Sequence, residues 1–151
     1  MKFKKVRIKK KPDAAIAKIE KIAKQMNGKG QVKIGLPVGS NNYPDGTSVI
    51  MVGAVHEFGS ASRGIPERSY LRATMQNNRR KYKSLISKLG IQIATGAMDS
   101  MKALQTLGLK VEADVKDTLI DLKSPALKHR KGNPLFDTGH LVGSITHVVN
   151  D

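Results

Sequence analysis

Apolar side chains recur along this chain in two periods, one helical and one extended, and the changes between them mark out its elements. Ile16, Ile19, Ile22, Ala23 and Met26 fall at helical spacing with Lys18, Lys21 and Lys24 outside. They predict an amphipathic helix with one buried stripe, opened at Pro12-Asp13, where the Asp13 charge meets the helix dipole, and ended at Asn27-Gly28. Residues 31–36 alternate apolar and polar, the signature of a strand, and Pro37 and Gly39 close it. A turn-rich loop over 40–46 leads into a short, largely apolar stretch. That stretch is read as a helix capped by Thr47 or Ser48 and stopped by a left-handed Gly59. Residues 60–64 are small and polar, a loop, and Pro66 holds Ile65 extended. The chain then re-enters a helix with Tyr70 and Leu71 pointing inward.

Beyond it, Tyr82, Leu85, Ile86, Leu89 and Ile93 share one face of a helix expected over about 77–95. Gly90 weakens that helix by ~1 kcal/mol relative to Ala, or lets another backbone approach. Met101, Leu104, Gly108, Val111, Val115, Leu119 and Leu122 continue as a longer stripe over about 97–122, with Gly108 either a packing notch or a kink. Residues 124–134 form a basic loop rich in breakers. One short helical turn follows, capped by Asp137 or Thr138, and then a β-rich end over 144–149 expected to pair with 32–36. The whole predicts an α+β domain over 12–151, a small mostly antiparallel sheet packed with three or four helices, two of them long. Residues 1–11 form a separate basic arm. There is no internal repeat and no low-complexity block.

Composition sharpens this picture by exclusion. The 151 residues suit one domain, large enough to bury roughly 70% of its unfolded surface. Aromatic residues are 4% with no Trp, so the core rests on Ile, Leu, Val, Met and Ala. There is no Cys, which removes disulfides, thiolate zinc sites and thiol catalysis together. No apolar run approaches the ~20 residues needed to span a membrane. No apolar segment follows the basic start, so no signal peptide is expected and no membrane partner is inferred.

The formal net charge is +15. Lys2, Lys4, Lys5, Arg7, Lys9, Lys10 and Lys11 concentrate much of it in the arm, without one acidic residue among them. Such an arm attracts phosphate, an anionic lipid surface or an acidic protein. It equally suits a solvated tail, or an edge strand kept soluble by Lys. With Arg79, Arg80 and Lys81, these positions are the candidate anion-binding residues. They support one class of function, a basic nucleic-acid-binding protein gripping DNA. The scarcity of aromatics for base stacking and the lack of a helix-turn-helix or zinc signature count against it.

Catalytic signatures fail one by one. His56-Glu57 opens like a zinc-protease helix, but Ser60 stands where the second His is needed. His129, His140 and His147 are dispersed, and Asp114, Asp117 and Asp121 read as a solvated, ion-paired helix face. Asp137-Thr138-Gly139 lacks the preceding apolar strand of a phosphoryl-transfer aspartate. Gly28-Lys29-Gly30 lacks the spacing of a phosphate-cradling loop. No catalytic residue, metal site or cofactor is expected, and the chain is not read as an enzyme.

Three motifs occur in order: His56-Glu57-Phe58-Gly59, then Ile65-Pro66-Glu67-Arg68-Ser69-Tyr70-Leu71, then Asn133-Pro134-Leu135-Phe136-Asp137-Thr138-Gly139-His140-Leu141 running into Ser144-Ile145. Together they resemble the tail-completion and virion-morphogenesis proteins of tailed phages, minor proteins of the neck or head–tail junction. Tyr70 stands where that family usually has Phe, and Phe136 where it has a smaller aliphatic residue. The resemblance implies a structural protein of the virion, assembled in the host cytoplasm. It would complete the tail or join it to the head through a homo-oligomeric ring, a hexamer being favoured. Its implied partners are the tail tube, tail terminator or head–tail connector proteins, with contact to DNA possible in a channel. His56, Glu57, Phe58, Gly59, Ile65, Pro66, Arg68, Tyr70 and Leu71 are the expected interface or its support, although Phe58, Tyr70 and Leu71 suit a core equally well. Asp137, Thr138, Gly139 and Leu141 are expected to build a turn and cap.

Overall fold

A computed structural model of the chain describes residues 14–28, 30–126, 132, 135 and 137–150. The basic arm with Lys2, Lys4, Lys5, Arg7, Lys9, Lys10 and Lys11, the opening Asp13, and His129 with most of the basic loop lie outside them. The elements in order are α1 (Ala14–Met26), β1 (Gln31–Gly35), α2 (Val49–Phe58), a 3-10 turn (Ala61–Arg63), α3 (Leu71–Asn77), α4 (Arg79–Ala94), α5 (Ser100–Asp121), α6 (His140–Ser144) and β2 (Thr146–Asn150). The architecture is α+β. Among the described residues there are six α-helices and one two-stranded antiparallel sheet that packs on α5, in which Gln31 pairs with Asn150 and Gly35 with Thr146.

Helix boundaries follow their caps. The Ser48 hydroxyl accepts from the Met51 N–H at 3.4 Å and starts α2. The Asp99 carboxylate accepts from the Lys102 N–H at 2.8 Å and starts α5. Each satisfies a donor that the first turn of a helix leaves unpaired.

Helix α5 is the spine. Its face at Val111, Val115 and Leu119 is buried against Val49, Tyr70, Tyr82, Leu135, Leu141 and Ile145, drawn from nearly every other element. Burying each such side chain contributes about 1.5–3 kcal/mol. The sheet lies across the same helix at Gly108, where the His147 ring of β2 occupies the space a side chain would need. Gly108 is therefore a packing notch, inside an unbroken helix.

Helix α1 departs from expectation. Ile22 approaches the chain at Gly96, but Ile16 is 51% and Ile19 66% exposed. The helix lies on the domain with one edge of its apolar arc, so the stripe expected to be buried stays largely open to solvent.

Candidate interface site

The first two motifs meet at one carboxylate. Helix α3 begins at Leu71 after Tyr70, a residue with no side chain that can cap. Glu57, at the end of α2, supplies the cap from a distance. Its Oε2 accepts from the Tyr70 and Leu71 N–H groups at 2.8 Å each. Its Oε1 accepts from the Arg72 N–H at 3.1 Å, the Arg72 Nε at 2.9 Å and the Ser69 hydroxyl at 2.8 Å. Burial pushes the Glu57 carboxyl up, but the donors of Leu71, Arg72 and Ser69 outweigh it and hold it below the ordinary glutamate value. Glu57 is only 3% exposed, so this acid is a structural knot supporting whatever surface lies above it.

The neighbouring residues tighten the knot. Gly59 leaves α2 at φ 74, and a Cβ there would lie 2.9 Å from the Glu67 backbone nitrogen and 3.1 Å from the Ile65 carbonyl. Only glycine meets both demands. Ile65, half-buried before Pro66, pairs with Ser60 through reciprocal backbone hydrogen bonds of 2.8 and 2.9 Å. The Arg68 N–H donates to the His56 carbonyl at 2.8 Å. Arg68 itself is buried, and its Nε and Nη2 donate to the carbonyls of Pro125 and Ala126 at 2.8 and 3.2 Å. It ties the central stretch to the segment after α5. His56 is half-buried, and burial, helped by the Arg68 charge, pushes its imidazole down and keeps it neutral. Its Nδ1 is buried with no hydrogen-bond partner among the described residues. Tyr70 belongs to the core, and Leu71 packs half-buried against that core.

Phe58 goes the other way. Its ring is 66% exposed, and the Arg72 guanidinium lies over it at 4.9 Å from the ring centre. Arg72 is held by the Glu57 carbonyl at 2.7 Å and by Glu67 at 2.9 Å, so the cation on the ring is itself fixed. Phe58 continues an exposed apolar face of α2 through Ile50, Met51 and Ala54, of which Met51 is 54% exposed. Aromatic residues, Met and Arg are the side chains enriched where proteins meet. The expected interface residues thus divide into one exposed anchor, Phe58, and a buried or half-buried frame.

The third motif closes a separate cleft against the first. Tyr43, Asp45, His56, Asp137, Thr138 and His140 line a space of about 280 Å³. Gly139 takes φ 77 and starts α6, the Thr138 hydroxyl accepts from the His140 N–H at 3.3 Å, and Leu141 is buried in the core. The Thr138 hydroxyl meets the first turn in this way without capping the helix, and Asp137 lies exposed at the cleft. His140 Nε2 bonds the Asn41 carbonyl at 2.8 Å, which fastens the loop before α2 to the motif.

The basic cluster is divided as well. Arg79 and Arg80 are exposed, but Lys81 contacts both oxygens of Asp114 at 2.8 Å. Asp114 is buried and also meets Lys110 at 3.0 Å, so it is no solvated acid, and Lys81 is not free for phosphate. Burial pushes the Asp114 carboxyl up, and Lys81 and then Lys110 bring it below its ordinary value. Among the described residues no group of three His, Cys, Asp or Glu is placed to hold a metal ion. Nor is any of their helices long and apolar enough to cross a membrane.

Glu57 was legible as part of a motif but not as a cap. The one signal was negative: a helix starting after Tyr70 carries no capping residue of its own. Searches with this chain against protein-family models, curated proteins and solved structures find no match.

Proposed function

We propose that this protein is a structural component of a tailed-phage virion, acting at the neck or tail end through ring-forming protein contacts and without chemistry. The observation that carries the proposal is the exposed Phe58, clamped by Arg72 over a buried glutamate frame at the end of an apolar helix face. An exposed cation–π pair stabilises a monomer by only about 0.5–1 kcal/mol, whereas an interface anchor also gains from being held in place before it binds. The three motifs that resemble the tail-completion family supply that frame and the cleft beside it. Neighbouring tail or connector proteins, and a second copy of the chain, are the partners this reading requires.

A basic nucleic-acid-binding protein is the second reading, favoured by the net charge of +15 and the exposed Arg79 and Arg80. The mass of the purified chain in solution, at low and high salt and with and without duplex DNA, separates the two. The assembly reading expects a closed oligomer that persists at high salt, because apolar contacts survive screening. A monomer that binds DNA, and releases it as salt rises, would replace it with the second reading.

A further inference from the structure

Three acids of this chain are tied up in its own packing. Glu57 holds Arg72, Glu112 holds Lys116 and meets His147, and Asp114 holds Lys81 and Lys110. Helix α4 shows what that leaves at the surface. It carries five basic residues and no acidic one. Lys81 is taken by Asp114, but among the described residues Arg79, Arg80, Lys83 and Lys88 enter no ion pair, and all four are exposed. With the exposed Ser84 and Ser87 they lie on the outer side of the helix, opposite the buried Tyr82 and Leu89.

This side works against its own helix. Arg79 and Lys83 are like charges one turn apart, a destabilising pair, and Arg79 and Arg80 open a first turn where helices favour acids. Nothing among the described residues offsets these repulsions. A polyanion laid along the helix does.

The kind of polyanion follows from what α4 lacks. An anionic membrane takes up a helix through a free apolar face. The apolar side of α4 at Tyr82 and Leu89 is packed into the domain, and only Ile86 and Ile91 are exposed. Single strands are gripped by aromatic rings on which bases stack, and Tyr82, the one aromatic residue of α4, is buried. Phosphates at regular spacing fit better. Residues 79–88 cover about 14 Å of helix, roughly four base-pair steps of a duplex. Guanidinium groups such as those of Arg79 and Arg80 match phosphate oxygens in pairs.

We infer that the outer side of α4, through Arg79, Arg80, Lys83 and Lys88, lies along the phosphate backbone of duplex DNA without reading its sequence. The inference deepens the second reading above, naming its surface and its ligand, and holds for a monomer and an oligomer alike.

Anisotropy of a fluorescent duplex of mixed sequence, titrated at several salt concentrations, tests it. Each phosphate contact contributes about 0.9 to the slope of log affinity against log salt. Arg79→Gln, Arg80→Gln and Lys83→Gln together are expected to lower that slope by roughly 3, and the affinity at low salt by about tenfold or more. Lys18→Gln, Lys21→Gln and Lys24→Gln remove the same charge from exposed positions of α1 and are expected to change the slope by less than about 1. Circular dichroism checks that both variants fold. Should the α4 variant unfold, Lys83→Gln with Lys88→Gln takes its place, with an expected drop of roughly 2.

An unchanged slope in the α4 variant overturns the inference and leaves the second reading standing on other basic residues. Equal losses in the α4 and α1 variants overturn it as well, because net charge and not this face then governs binding. Tighter binding of a single strand of the same length, or binding of phosphatidylserine vesicles and not of the duplex, replaces the duplex with that ligand. An unaltered chain that binds no duplex even at low salt overturns both the inference and the second reading.

Discussion

The His147 ring fills the place where a side chain at Gly108 would go, with Cγ 2.9 Å from the position a Cβ would take. On its other side His147 Nδ1 meets Glu112 at 2.6 Å, and Glu112 also holds Lys116. One missing methyl thus lets the sheet settle on α5 and lets a side-chain hydrogen bond form at the contact. Gly108→Ala is expected to lose about 2–3 kcal/mol in spite of its better helix propensity, because the ring must move and Glu112 loses its partner. Urea unfolding measures this; a stabilised variant would show that the notch is not needed.

Glu57 is the acid on which the central stretch depends. Glu57→Ala leaves the first donors of α3 and the half-buried Ser69 hydroxyl without an acceptor and is expected to cost about 3 kcal/mol or more. Glu57→Gln keeps the shape but cannot accept from all five donors, so it is expected to fall between that variant and the unaltered chain. Equal stability of all three would remove the carboxylate from any structural role.

Acid should weaken the fold in two stages. The folded-state value of His56 lies below its ordinary 6.5, so its contribution is complete above that pH and falls as pH drops toward the folded value. Glu57 and Glu112 lie below their ordinary 4.5 and Asp114 below 3.8, so theirs is complete above those values and lost below them. All four act in one direction, toward lower stability at lower pH. Melting temperatures across pH 3 to 8 check it. His56→Gln should flatten the upper stage and Glu57→Gln the lower, and an unchanged upper stage in His56→Gln would assign that stage to another group.

The two aromatic residues of the central motifs should respond oppositely. Tyr70→Ala empties a fully buried site and is expected to cost about 3–5 kcal/mol. Phe58→Ala, at an exposed site, is expected to stay within about 1 kcal/mol and to affect association instead. Chemical denaturation of both variants decides it, and a large loss for Phe58→Ala would return that residue to the core.

Much of the fold could be read from local signals. Ser48 and Gly59 bounded α2 because caps and left-handed glycines act within a few residues of themselves. The alternation at Val32 and Ile34, with the β-rich run through Val148 and Val149, was enough to pair β1 with β2. Long-range chemistry was not readable in this way. Nothing around Glu57 announces that it caps a helix thirteen residues later, or that Arg68 reaches carbonyls near position 125. Lys81 looked like one of three free cations until α5 brought Asp114 to it. The stripe of α1 has a correct period, but period cannot say which part of an apolar arc finds a partner. Ile16 and Ile19 show that it need not be the middle.

The pairing of Gly35 with Thr146 joins positions more than a hundred residues apart, whereas α4 and α5 are neighbours joined by a five-residue link. Closing so large a loop is slow in entropy terms, and only five rungs reward it. The order of folding follows. The helical spine of α4 and α5 is expected to consolidate first, and the C-terminal segment, with Leu141 and Ile145, to complete the core and zip the sheet onto Gly108 afterwards. Substitutions at Val32 or Val149 should therefore quicken unfolding and leave the folding rate nearly unchanged. The long period before the strands meet is also when their unpaired edges are open to other chains.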